Sequence, residues 1–126
     1  MLLDDIKSYL QSQGITEPIY IGRLPDGPDD CVALFEYAGR PPYTLIAVDT
    51  PGLQVKIRGA AGDNDYQDAR ARAQTILNTL HDIKNVLINS TRYIHVQAQG
   101  TPGPLGRDQA ERPIFNINFL VRKDRE

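Results

Sequence analysis

The chain has 126 residues, 40% of them hydrophobic, and a formal charge of -2 at pH 7. That is one domain's worth of protein with enough apolar mass for a core, which excludes disorder throughout and removes any need for disulfide staples. Fourteen basic residues against sixteen acidic ones leave no cationic excess to attract a polyanion.

Leu2, Leu3, Ile6, Tyr9 and Leu10 recur at spacings of three and four, which predicts a short helix with one buried face. Asp4 and Asp5 suit the positive end of its dipole, and Gly14 stands where a C′ glycine would end it. Ile19-Tyr20-Ile21 reads as a short strand, closed by Gly22 and the turn-rich stretch from Pro25 to Asp30. Cys31 to Tyr37 has strand composition without clean alternation, as expected when both faces are covered. Gly39 and the pair Pro41-Pro42 stop it, and the long connector from Gly39 to Gly52 has room for a strand of its own at Leu45 to Val48.

Leu53 to Arg58 alternates, with Leu53, Val55 and Ile57 on one face and Gln54, Lys56 and Arg58 on the other. Gly59 and Gly62 break it, and Asp63, Asn64 or Asp65 can cap the next element. A second helix follows, its stripe made of Tyr66, Ala69, Ala73, Ile76, Leu77 and Leu80. Thr91 to Ala98 alternates again, with Ile94, Val96 and Ala98 set against Tyr93, His95 and Gln97. Gln99 to Gly106 is too rich in Gly and Pro for a regular element. Ile114 to Val121 puts Phe115, Ile117, Phe119 and Val121 on one side, and the end, 121–126, is expected to fray. With no βαβαβ rhythm, the expected fold is a single α+β domain over 1–126: a mostly antiparallel twisted sheet of four to five strands with two helices packed on one face.

Chemistry-bearing patterns are not found. His81 and His95 are the only imidazoles and lack metal-ligand spacing. Gly59-Ala-Ala-Gly62 follows a strand and precedes a helix, but lacks the lysine and hydroxyl residue of a phosphate loop. The aspartates at 26, 29, 30, 63, 65 and 68 fall in turns or at a helix start, where carboxylates are common without catalytic duty. Cys31, the lone cysteine, has no sequence-local base; it fits a reducing compartment and a buried thiol. The apolar runs are far shorter than the ~20 residues a bilayer span needs, and no signal-peptide pattern opens the chain. No catalytic, cofactor-binding or metal-ligating set is therefore expected, nor a membrane or nucleic-acid sequence as partner. The unusual feature is the polar strand faces, with Gln54/Lys56/Arg58, Tyr93/His95/Gln97 and Asn116/Asn118, which suit a polar protein interface.

Four stretches carry a resemblance: Leu53-Gln-Val-Lys-Ile-Arg-Gly59, Asp65 to Ala73, Gly100-Thr-Pro-Gly-Pro-Leu-Gly-Arg-Asp108, and Arg112-Pro-Ile-Phe-Asn-Ile-Asn-Phe119. In this order and spacing they resemble a phage minor capsid protein family whose members look like tail terminators, the ring proteins that cap a tail tube at the head-tail junction. The resemblance implies a terminator-like fold without catalysis and a structural role in the virion after assembly in the host cytoplasm. It further implies a homo-oligomeric ring, hexameric in the virion and able to wait as a monomer, that binds tail tube protein and a head connector or stopper. A different neck or minor capsid component, such as a head-completion or stopper-like protein, is the alternative. Within that picture Gly59 gives the exit after Arg58, Leu105 to Asp108 turns into the last strand, and Arg58 and Asp108 could pair. The interface candidates are Gln54, Lys56, Arg58, Arg40, Tyr43 and Asp108.

Overall fold

The computed structural model describes residues 1–126. Helix α1 (Leu2–Ser12) buries Leu2, Leu3, Ile6 and Leu10, the stripe its spacing predicts, and leaves Tyr9 half-buried. It closes as expected around Gly14: the Gly14 N–H donates to Gln11 O and the Ile15 N–H to Leu10 O, the paired bonds of a Schellman end. The remaining elements are β1 (Ile19–Ile21), β2 (Cys31–Arg40), β3 (Val48–Arg58), α2 (Asp65–Leu80), β4 (Ile83–Ile88), β5 (Thr91–Ala98), β6 (Gly103–Arg107) and β7 (Pro113–Asp124).

One mixed sheet results, in the order β1-β2-β3-β7-β5-β4. β1 runs parallel to β2 and every other pair is antiparallel. β7 is the spine. One edge pairs with β3; the other is shared, β6 taking its first part and β5 its last. The inward positions Phe115, Ile117, Phe119 and Val121 of β7 join Leu53, Val55 and Ile57 of β3 and Leu34 of β2 in one core, which also holds the buried stripes of both helices. In α2, Ala69 and Ala73 are fully buried and seat the helix close, while Ile76 and Leu80 fill the space beyond them. Leu77 packs only at the margin, and Tyr66 stays half exposed with its ring edge-on to Phe115 at 4.9 Å. At Gly59 a Cβ would lie 3.1 Å from the Cβ of Ala69 and 2.5 Å from the Arg72 guanidinium, so the absent side chain admits the helix as well as the turn.

The structure departs from the sequence reading in five places. The sheet has seven strands, not four to five, because Ile83–Ile88 and Gly103–Arg107 are strands that the sequence reading leaves out. β4 buries only its ends, and Asn85 interrupts it at φ 51, so no alternation marks it. β6 carries Gly103 and Pro104 and pairs on one side only, the edge position where a strand tolerates proline. Leu45 to Val48 is not a strand: only Val48 joins β3, which runs on through Pro51 and Gly52, while Leu45 is 95% exposed at the tip of the connector. Tyr93 points inward rather than outward. Ile94 is an extra residue in the β5–β7 ladder, a bulge that places Tyr93 opposite Lys123 and His95 opposite Arg122, so Tyr93 and Val96 both enter the core. Lastly, 121–126 is not a frayed end. Val121 is fully buried and β7 continues to Asp124. Lys123 lies in the core margin bonded to Glu126 at 2.9 Å, and Arg125 binds Asp49 and the Tyr43 carbonyl.

Candidate functional site

The helices cover one side of the sheet; the other side is the candidate surface. Strand registers arrange its residues in rows. Arg40 pairs with Thr50 and His95 with Arg122, and all four line one shallow concavity. Next come Tyr37, Gly52, Leu120 and Gln97, then Phe35, Gln54 and Asn118, then Tyr20, Ala33, Lys56 and Asn116. A Cβ on Gly52 would fall inside the Tyr37 ring, so the ring lies flat over the glycine and its hydroxyl reaches Phe119 O at 3.1 Å and the Gln99 side chain. Lys56 lies over the Phe35 ring at 5.2 Å and Arg122 over Tyr43 at 5.8 Å. Arg40, Lys56 and Arg122 make no ion pair. The carboxylates near it are Glu36, which shares one concavity with Gln54 and Asn118 and another with Arg40, Asp82 on His95 and Asp124 on Arg92. The Asn116 Oδ1 is buried without a hydrogen-bond donor.

Two of the interface candidates, Gln54 and Lys56, lie side by side on this surface as expected. Arg40 and Tyr43 sit at its far end, brought together with it by Arg122. Arg58 does not belong there. The alternation directs it to the same side, but the connector between β1 and β2 folds over it, leaving it 2% exposed. Its Nε donates to Asp29 O at 3.1 Å and its Nη2 to Pro28 O at 2.7 Å. Asp108 is likewise internal to the molecule's own bonding, and its partner is Arg112, not Arg58.

Arg112 is the residue sequence reasoning missed. It is buried, with Nε on Asp108 at 2.8 Å, one Nη on Asp26 O and Asp29, and the other on the Asp26 carboxylate. Arg72 adds a bridge to Asp30 at 3.1 Å. The turn 25–30 is thus clamped by three arginines from β3, α2 and the approach to β7. The sequence signal was present in the facing charges, with acids in one turn and Asp108/Arg112 four apart, but nothing local joins segments more than 80 residues distant. Burial would raise the Asp108 carboxyl, yet the backbone N–H and guanidinium of Arg112 outweigh it and hold the group below the usual carboxylate range. Asp65 is held lower still, first by Arg107, at 2.5 and 2.9 Å, and then by the Gly62 and Tyr66 N–H groups. Burial pushes the Cys31 thiol up, against partial opposition from Arg58 and Arg112, so this cysteine is held in its unreactive form. Its sequence reading as a buried thiol holds.

This architecture matches a known one. The family described as bacteriophage tail terminator protein matches residues 9–125. None of the curated proteins matches the sequence. Among solved structures, a chain from the virion of a native gene transfer agent particle superposes with a TM-score of 0.69 at 14% identity, covering 98% of this chain and 94% of that one. That similarity concerns the fold. The chain belongs to the bacteriophage tail terminator family, and with that it is a structural protein of the virion.

Proposed function

We propose that the protein caps the phage tail tube as an oligomeric ring and presents a docking surface to the head connector. The family match over residues 9–125 carries this reading. The sheet side supports it: a broad polar surface with cations that form no ion pair is suited to a protein partner. The role is taken as structural rather than catalytic. The charged groups that converge, Arg58, Arg72 and Arg112 on the turn 25–30, are engaged in holding that turn. Hexameric stoichiometry and a monomeric waiting form in the host cytoplasm belong to the same proposal, since association must first overcome about 4–15 kcal/mol of lost freedom that a tube end can offset.

The test is electron microscopy of purified tail tubes with and without the protein. Rings seated on tube ends, together with arrested tube growth, are the expected result. Retention by portal-side proteins with no binding to tubes would assign it instead to another neck or minor capsid position, such as a stopper.

A further inference from the structure

The unpaired cations of the sheet side have a counterpart on the same molecule. At the opposite layer, Glu17 and Asp68 line a concavity with Asp30, and neither Glu17 nor Asp68 has a basic partner. Asp68 lies in the first turn of α2, on the helix layer, so the two charged surfaces lie on different sides of the sheet. A closed ring needs two different surfaces per subunit, each complementary to the other. Complementary potentials favour this register, and like-charged juxtapositions disfavour the alternatives.

We propose that the sheet side, through Arg40, Lys56 and Arg122, receives the Glu17/Asp68 concavity of a second copy of this chain in a head-to-tail contact. This rests on the ring reading above. Lys56 and Arg122 are predisposed for it: each is steadied over an aromatic ring and carries no carboxylate. The Glu17/Asp68 surface is not neutralised either, because the one guanidinium at its floor, that of Arg72, is already bridged to Asp30. Neutralisation therefore comes between subunits rather than within one.

The experiment uses two charge-reversed forms of the full chain. One carries Lys56→Glu and Arg122→Glu, the other Glu17→Lys and Asp68→Lys. Sedimentation velocity over a concentration series, with tube ends present and absent, reads association, and circular dichroism checks folding. Each form alone is expected to associate about tenfold more weakly than the natural chain. An equal mixture should recover association, because each reversed surface then meets its opposite in an alternating ring. Should a reversed form fail to fold, Lys56→Gln with Arg122→Gln replaces it, read by loss of the salt dependence between about 0.05 M and 0.5 M.

A mixture no better than either form alone overturns the pairing while rings of the natural chain on tube ends keep the ring reading intact. Absence of any ring from the natural chain overturns both. Retention of double-stranded DNA by the natural chain, abolished by Lys56→Glu with Arg122→Glu while assembly is unchanged, would give the sheet side to a polyanion and likewise overturn the pairing.

Discussion

Arg112 shows how one side chain can fix a surface turn. Its side chain is only 7% exposed, yet the guanidinium meets carboxylates from Asp26, Asp29 and Asp108. Replacing it with glutamine keeps a donor but removes the charge and two of the fork's arms. Arg112→Gln is expected to speed proteolytic cleavage within residues 25–30 while leaving the amides of β7 protected from exchange; unchanged cleavage there would show that Arg58 and Arg72 suffice. The acid response has a definite sign. Asp65 and Asp108 titrate lower in the fold than in the unfolded chain, so the stability they contribute is fully present above about pH 4, the unfolded value. It is lost as pH falls through their depressed folded values. Thermal midpoints measured downward from pH 5 should therefore drop, and Arg112→Gln should make that drop shallower by returning Asp108 toward its ordinary range.

At the scale of elements, α1, α2 and β7 each set four buried side chains into the core. Ile76→Ala should cost about 2–5 kcal/mol, because the side chain is 1% exposed among packed neighbours. Leu77→Ala should cost less, since it lies at the margin, and Gln74→Ala less than about 0.5 kcal/mol, its bonds to Arg70 and Asn78 being exposed. Equal losses in urea melts would mean that the helix face is misplaced. Truncation after Val121 should destabilise the protein measurably, since it removes Lys123 from its place between Tyr93 and Glu126 and Arg125 from the connector. An unchanged midpoint would contradict the role given to the strand's end.

Elements with regular periodicity were legible from sequence: α1, α2, the Leu53–Arg58 part of β3 and most of β7. Less legible were elements whose order comes from neighbours. β6 exists because β7 has a free edge beside it, and Tyr93 turns inward because a bulge resets the alternation. Its hydroxyl finds Asp5 at 2.5 Å, and burial, reinforced by that carboxylate, pushes its ionisation well above the ordinary tyrosine value. The surface was half legible for the same reason. Gln54 and Lys56 follow from alternation alone, but the covering of Arg58 needs the turn from 25 to 30, and Arg122 looks like mere tail until β7 is seen to run through it.

At the scale of the whole molecule, a family fold closes one side of a seven-stranded sheet with helices and leaves the other without helical cover. On the polar side Arg40, Lys56 and Arg122 form no ion pair, and on the opposite layer Glu17 and Asp68 have no basic partner, Arg72 beside them being bridged to Asp30. That asymmetry suits repetition around an axis better than a solitary existence. The most direct test of the central claim is imaging of purified tail tubes grown in the presence of the protein. A ring of this chain at the tube end, with no further growth beyond it, is the expected result. Tubes that continue to lengthen with bare ends, at protein concentrations in excess of ends, would contradict it.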